Sequence, residues 1–91
     1  MTIEWASSAL QSLQEIYSEA AVLSSPAALA VLHRLLDQID GLSCSPLSGA
    51  EGRLENTREL TVSTTPLVIS YRISGHVIQV LAILQGAAIT P

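Results

Sequence analysis

The sequence predicts an α+β domain of two layers, in which a helical hairpin lies on one face of a mostly antiparallel sheet. Three observations predict it. Apolar residues recur at helical spacing from Ser8 to Gly41. A turn-rich stretch, Ser43 to Glu55, ends that pattern. Beyond it the period falls to two, in three back-to-back apolar runs between Asn56 and Gln85. A short alternating segment at the N-terminus completes the order β-α-α-β-β-β, a four-stranded sheet within a single domain spanning residues 1–91.

The opening strand is Ile3–Trp5, apolar at Ile3 and Trp5. Ser8 with Gln11 three residues on forms a capping box, predicting a helix over Ser8–Leu23. Its apolar stripe is Leu10, Leu13, Tyr17 and Ala20, widened by Ile16. Ser25 as N-cap and Pro26 at the first helical position start a second helix, Pro26–Asp40. Its stripe is Leu29, Leu32, Leu36 and Ile39, supported by Val31 and Leu35, and Arg34 is placed to pair with Asp37 on the surface. Gly41 is expected to end it in the left-handed conformation. The short link makes the two helices an antiparallel hairpin.

The strands expected next are Thr57–Ser63, Leu67–Ser74 and His76–Leu84, broken at Thr64-Thr65-Pro66 and turned at Ser74-Gly75. Leu67, Ile69, Tyr71 and Ile73 share one face, with Ser70 and Arg72 on the other. The last run, VIQVLAIL, is apolar on both faces, the pattern of a strand covered on both sides.

Composition bounds the function. In 91 residues, 48% are hydrophobic, and the mean hydropathy is +0.43. A chain of this length buries only about 60–65% of its unfolded surface, so part of that apolar area is expected to face another chain. Four Arg and no Lys stand against eight Asp and Glu, a net charge of −4. That is too few cations for strong direct nucleic-acid binding, and it points to a protein partner. No run reaches the ~18 apolar residues of a membrane span. The lone Cys44 fits a reducing cytoplasm. With no Cys/His cluster and no Gly-rich phosphate loop, neither a metal nor a cofactor is expected.

Several strings resemble the RelE/ParE superfamily of toxins from bacterial type II toxin–antitoxin modules. They are Ile3-Glu4-Trp5 with Ser8-Ala9-Leu10, then Gly52-Arg53-Leu54, Thr57-Arg58-Glu59-Leu60, Pro66-Leu67-Val68-Ile69-Ser70-Tyr71-Arg72 and the closing Val80–Ala87. The ParE branch commonly reads G-R-x, T-R-E-L and P-Y-x-x-x-Y-R at these places. The tail departs from it, with Gln85-Gly86-Ala87-Ala88 where a basic H-G-A-R is usual, and Leu67 follows the proline where Tyr is usual.

The resemblance implies a toxin that binds a cellular protein, DNA gyrase in the ParE branch, and that a cognate antitoxin neutralises by lying across apolar grooves. A RelE-like ribosome-dependent mRNA endoribonuclease and an inactive interaction module are the alternatives. The basic residues of the RelE branch have almost no counterparts here, since only Arg53, Arg58 and Arg72 stand in the matching region. No catalytic residue is assigned. Arg53, Arg58, Arg72 and Gln85 are the candidate contacts to target or antitoxin. For Arg58 and Arg72 the equal alternative is pairing with Glu51, Glu55 or Glu59. Arg53 has no evident strand neighbour. Without an antitoxin, the same exposed surface is expected to pair with a second copy as a homodimer.

Overall fold

The computed structural model describes residues 1–85. Strand β1 (Thr2–Trp5) leads into helix α1 (Ser7–Leu23), and helix α2 (Ser25–Gly41) follows after one residue. Strands β2 (Ala50–Glu51), β3 (Arg58–Thr61), β4 (Leu67–Ser74) and β5 (Val77–Gln85) complete the described residues. The sheet runs β1-β5-β4-β3-β2, with β1 parallel to β5 and every other pair antiparallel. This is the α+β hairpin-on-sheet architecture expected, with one strand more. Among the described residues no helix is long and apolar enough to cross a membrane.

The extra strand, β2, lies inside the stretch expected to be loop. Two residues are too short to show an alternation, so its cause is tertiary. The wholly buried Tyr71 on β4 donates its hydroxyl to the Pro46 carbonyl at 2.7 Å and accepts from the Gly49 amide at 2.9 Å. That grip lays Ala50 and Glu51 beside Glu59 and Arg58. Gly49 must be glycine, since a Cβ there would stand 2.6 Å from the Tyr71 hydroxyl.

The helix termini differ from expectation by small steps with clear causes. Ala6 caps α1 without a side-chain bond, because Ser8 instead donates to the Leu81 carbonyl at 2.6 Å. Ser24, not Ser25, caps α2, accepting from the Ala27 amide at 3.4 Å. Gly41 is the last helical residue and is not left-handed. The cap is Leu42 in the right-handed region (φ −64°), drawn inward because its side chain is fully buried. Gly75, at φ +59°, holds the first of two loop positions between β4 and β5, where a primed hairpin turn requires glycine. Arg34 does not pair with Asp37, but donates to the Thr64 hydroxyl on the β3–β4 turn.

The hairpin is rotated relative to the expected stripes. Ala9 on α1 and Ala28, Leu35 and Ile39 on α2 are buried. Of these, Ala9, Leu35 and Ile39 meet Val62, Ile69, Tyr71, Ile78, Val80 and Ile83 of the sheet side in one core. Leu10, Tyr17, Leu29 and Leu36, expected to face inward, are exposed. Ala28 lies instead between the two helices, beside Leu13, Ile16 and Leu32.

A bulge explains the doubly apolar last strand. Ser70 pairs with Ala82 while Tyr71 pairs with Val80, leaving Leu81 unpaired. Core residues are therefore Ile78 and Val80 before the bulge and Ile83 after it, a change of parity within one strand.

Candidate functional site

The residues singled out in the sequence divide among four places. Arg58 and Arg72 point to opposite faces of the sheet, because Arg58 pairs with Tyr71 and Arg72 is the next residue along β4. They cannot share one anion. Arg58 lies on the helix-bearing side, where its Nη1 donates to the Gly49 carbonyl at 2.7 Å and the Leu47 carbonyl at 3.4 Å. Its guanidinium thus fastens the same loop that Tyr71 holds, and no carboxylate is its partner among the described residues.

Arg53 does have a strand neighbour. Its Nε meets Glu59 Oε2 at 3.1 Å, and its backbone amide reaches the same oxygen at 3.3 Å. The Arg53 side chain is 51% exposed, so the pair is worth at most about 1 kcal/mol. Its more definite effect is to shape the loop before β3.

Arg72 stands exposed on the sheet face that no helix covers among the described residues, opposite the face that carries Ile69 and Tyr71 into the core. Its Nε donates to Gln79 Oε1 at 2.7 Å, and Gln79 is in register with Glu4 of β1. Glu4, Gln79 and Arg72 therefore form a row across β1, β5 and β4. Half-buried Val68, Val77, Ala82 and Leu84 share this open face.

Gln85 ends β5 opposite Leu67, and its Nε2 donates to Glu19 Oε2 at 3.4 Å. It sits at the rim of a groove of about 390 Å³ floored by Ile16, Ala20, Leu23, Val31 and Leu67. The rest of the tail, Gly86-Ala87-Ala88, lies outside the described residues.

The structure also reveals a surface read in the sequence as core. Leu10, Tyr17, Leu29 and Leu36 are exposed on the hairpin, and Val22 and Leu23 at its tip are 85% and 88% exposed. Between the helices Leu13, Gln14, Tyr17, Ser18 and Leu32 line an open groove of about 450 Å³. The signal for this second stripe was present: α2 carries apolar residues at 28, 31, 35 and 39 and again at 29, 32 and 36, more than one face can bury.

Chemically, the site offers dispersed guanidinium groups and apolar seams rather than a convergent acid–base constellation. His33 and His76 are exposed and far apart in the chain, on α2 and in the β4–β5 turn. Among the described residues no group of three His, Cys, Asp or Glu side chains is placed to hold a metal.

Known proteins with this arrangement agree with one another. A solved chain described as the chromosomal ParDE TA system from P. aeruginosa superposes with a TM-score of 0.84 at 27% identity, covering 93% of this chain and 95% of that one. A Sinorhizobium fredii protein named "Putative toxin Y4kP" is 37% identical over 84 residues, 92% of this chain and 86% of its own length. The family model for the ParE toxin of the type II toxin–antitoxin system parDE matches residues 3–89, from the first strand through the whole sheet and beyond the last described residue. A match spanning nearly every element described above settles the relationship: this chain belongs to the ParE toxin family of type II toxin–antitoxin systems.

Proposed function

We propose that this ParE-family toxin acts by binding a cellular protein, DNA gyrase being the target implied by its resemblance to the ParE branch. We further propose that a cognate antitoxin restrains it by seating an amphipathic segment along the hairpin seam. The observation that carries this reading is the outward apolar stripe of Leu10, Tyr17, Leu29 and Leu36 beside the groove of Leu13, Tyr17 and Leu32. A helix presenting apolar residues at i, i+3/i+4 and i+7 fits such a seam, and its burial contributes about 25 cal/mol per Å² before ordering costs.

The arrangement of the arginines supports a binding role over RNA cleavage. Cleavage needs several cations converging on one phosphate and a base for the 2′-hydroxyl. Here Arg58 is engaged with loop carbonyls and Arg53 with Glu59, on opposite faces of β3. Arg72 and Gln85 remain as target or antitoxin contacts.

Purified gyrase tests the proposal. Titrating the chain into a supercoiling reaction is expected to inhibit it weakly, given the tail without its usual basic residues. Adding the product of the adjoining antitoxin reading frame is expected to relieve that inhibition. Undiminished supercoiling at a large excess of toxin, together with codon-specific cuts in a ribosome-programmed cleavage assay, would establish the ribonuclease alternative instead.

A further inference from the structure

The open face of the sheet is self-complementary. Across β1, β5 and β4 the register sets Glu4, Gln79 and Arg72 in one row, with Gln79 central and Arg72 hydrogen-bonded to it at 2.7 Å. Neither Glu4 nor Arg72 has an ion partner among the described residues, and both are exposed. Strands stand about 4.8 Å apart, so the two charges project from positions about 10 Å from each other, too far to pair flat on one sheet without leaving Gln79.

We propose that this face packs against the same face of a second copy, about a two-fold axis lying along β5 in the plane between the two sheets, so that Arg72 of each copy meets Glu4 of the other. The operation is dictated by the row. Rotation about an axis along β5 exchanges the β1 side with the β4 side, which sets negative over positive at both ends. It leaves Gln79 opposite Gln79, where two amides can donate and accept reciprocally. Along the same axis Val77, Ala82 and Leu84 face their own counterparts, apolar on apolar. Sheets so related lie aligned, the commoner arrangement of face-to-face packing.

The size of the face fits a reversible dimer. Strands β1, β5, β4 and β3, of four, nine, eight and four residues at about 3.3 Å rise and about 4.8 Å spacing, give roughly 400 Å² per copy. Twice that falls below the about 1,200–2,000 Å² typical of stable specific interfaces, so a weak, reversible association is expected, at tens of micromolar rather than nanomolar concentration. The interface leaves the hairpin seam on the far side of the molecule free. The inference rests on the sheet's own register and not on the identity of the toxin's target.

Charge reversal tests it with the isolated chain. In sedimentation equilibrium at about 100 µM, where mass action favours association, the wild type is expected to be dimeric. Glu4→Arg sets arginine over arginine and Arg72→Glu sets glutamate over glutamate, so each alone is expected to be monomeric. The E4R/R72E double variant is expected to dimerise again. Both changes are at exposed positions, and far-UV circular dichroism checks that each of the three variants folds. A wild type monomeric at that concentration overturns the proposal. So do single variants that dimerise like wild type, which would place the interface elsewhere, and a double variant that stays monomeric. As an independent measurement, Val77→Cys in a Cys44→Ser background lies on the axis, with a separation of about 10 Å between facing sheets. A bis-maleimide of that span is expected to link the two copies, and failure to link them would also count against the proposal.

Discussion

The Tyr71 hydroxyl accepts the Gly49 backbone N–H at 2.9 Å while its ring is wholly buried in the core. One side chain thereby joins the central strand of the sheet to the loop that forms its outermost strand. Removing the hydroxyl as Tyr71→Phe leaves the ring in place but orphans the Gly49 amide and one bond to the Pro46 carbonyl. An unsatisfied buried group costs about 1–3 kcal/mol. In a domain of this size each kcal/mol lowers Tm by about 4–8 °C, so a scan should show a drop of at least about 4 °C. Hydrogen exchange at Gly49 should quicken with it. A Tm unchanged within error would mean the loop is held by other contacts.

The two glycines at 41 and 49 should respond oppositely to alanine. At Gly49 a Cβ would meet Tyr71 Oη at 2.6 Å, Cε1 at 2.8 Å and the Glu59 carbonyl oxygen at 3.1 Å, contacts that require backbone movement. Gly49→Ala is expected to destabilise by about 1–3 kcal/mol. At Gly41 nothing lies within 4 Å and the backbone is helical, so Gly41→Ala should stabilise by about 0.5–1 kcal/mol. Urea titrations of the two variants compare them directly, and equal effects would contradict the geometry.

Adjacent leucines on α2 report the orientation of the hairpin. Leu35 is 0% exposed and Leu36 is 38% exposed. Leu35→Ala should cost about 2–5 kcal/mol through a core cavity, and Leu36→Ala under about 1 kcal/mol. The reverse order would restore the stripe expected from spacing alone.

That stripe shows where sequence reasoning stops. Helical periodicity placed both helices and their short connection, yet α2 has two overlapping apolar stripes and periodicity does not rank them. The choice is made by the core, which takes in Leu35 and Ile39 and leaves Leu29 and Leu36 exposed. Strand alternation likewise put Tyr71 with Ile69 in the core and Arg72 on the other face. The bulge at Leu81 was invisible because VIQVLAILQ is apolar at either parity. Of the candidate residues, Arg58 and Arg53 were recognised as notable, but their partners were not foreseeable. Arg58 bonds to carbonyls of a loop whose path depends on Tyr71, and a backbone carbonyl carries no sequence signature. Arg53 finds Glu59 only because β2 folds back along β3.

The tail accounts for the weak activity we expect. Gln85 is neutral and tied to Glu19 at 3.4 Å, and Ala88 replaces the usual basic residue. Gln85→His with Ala88→Arg is expected to strengthen growth arrest on induction, lowering surviving colonies by about tenfold or more if the restored groups add one tenfold of target affinity. Unchanged growth would remove the tail as the deficient element.

We propose the outer seam of the helical hairpin as the surface by which the antitoxin holds this toxin. Hydrogen–deuterium exchange of the toxin alone and with the product of its adjoining antitoxin frame tests this most directly. Complex formation is expected to slow exchange in peptides covering α1 and α2 around Leu10, Tyr17, Leu29 and Leu36, the exposed stripe. Protection confined to the β2–β3 edge around Glu51 and Arg58, with the hairpin exchanging as in the free protein, would contradict it.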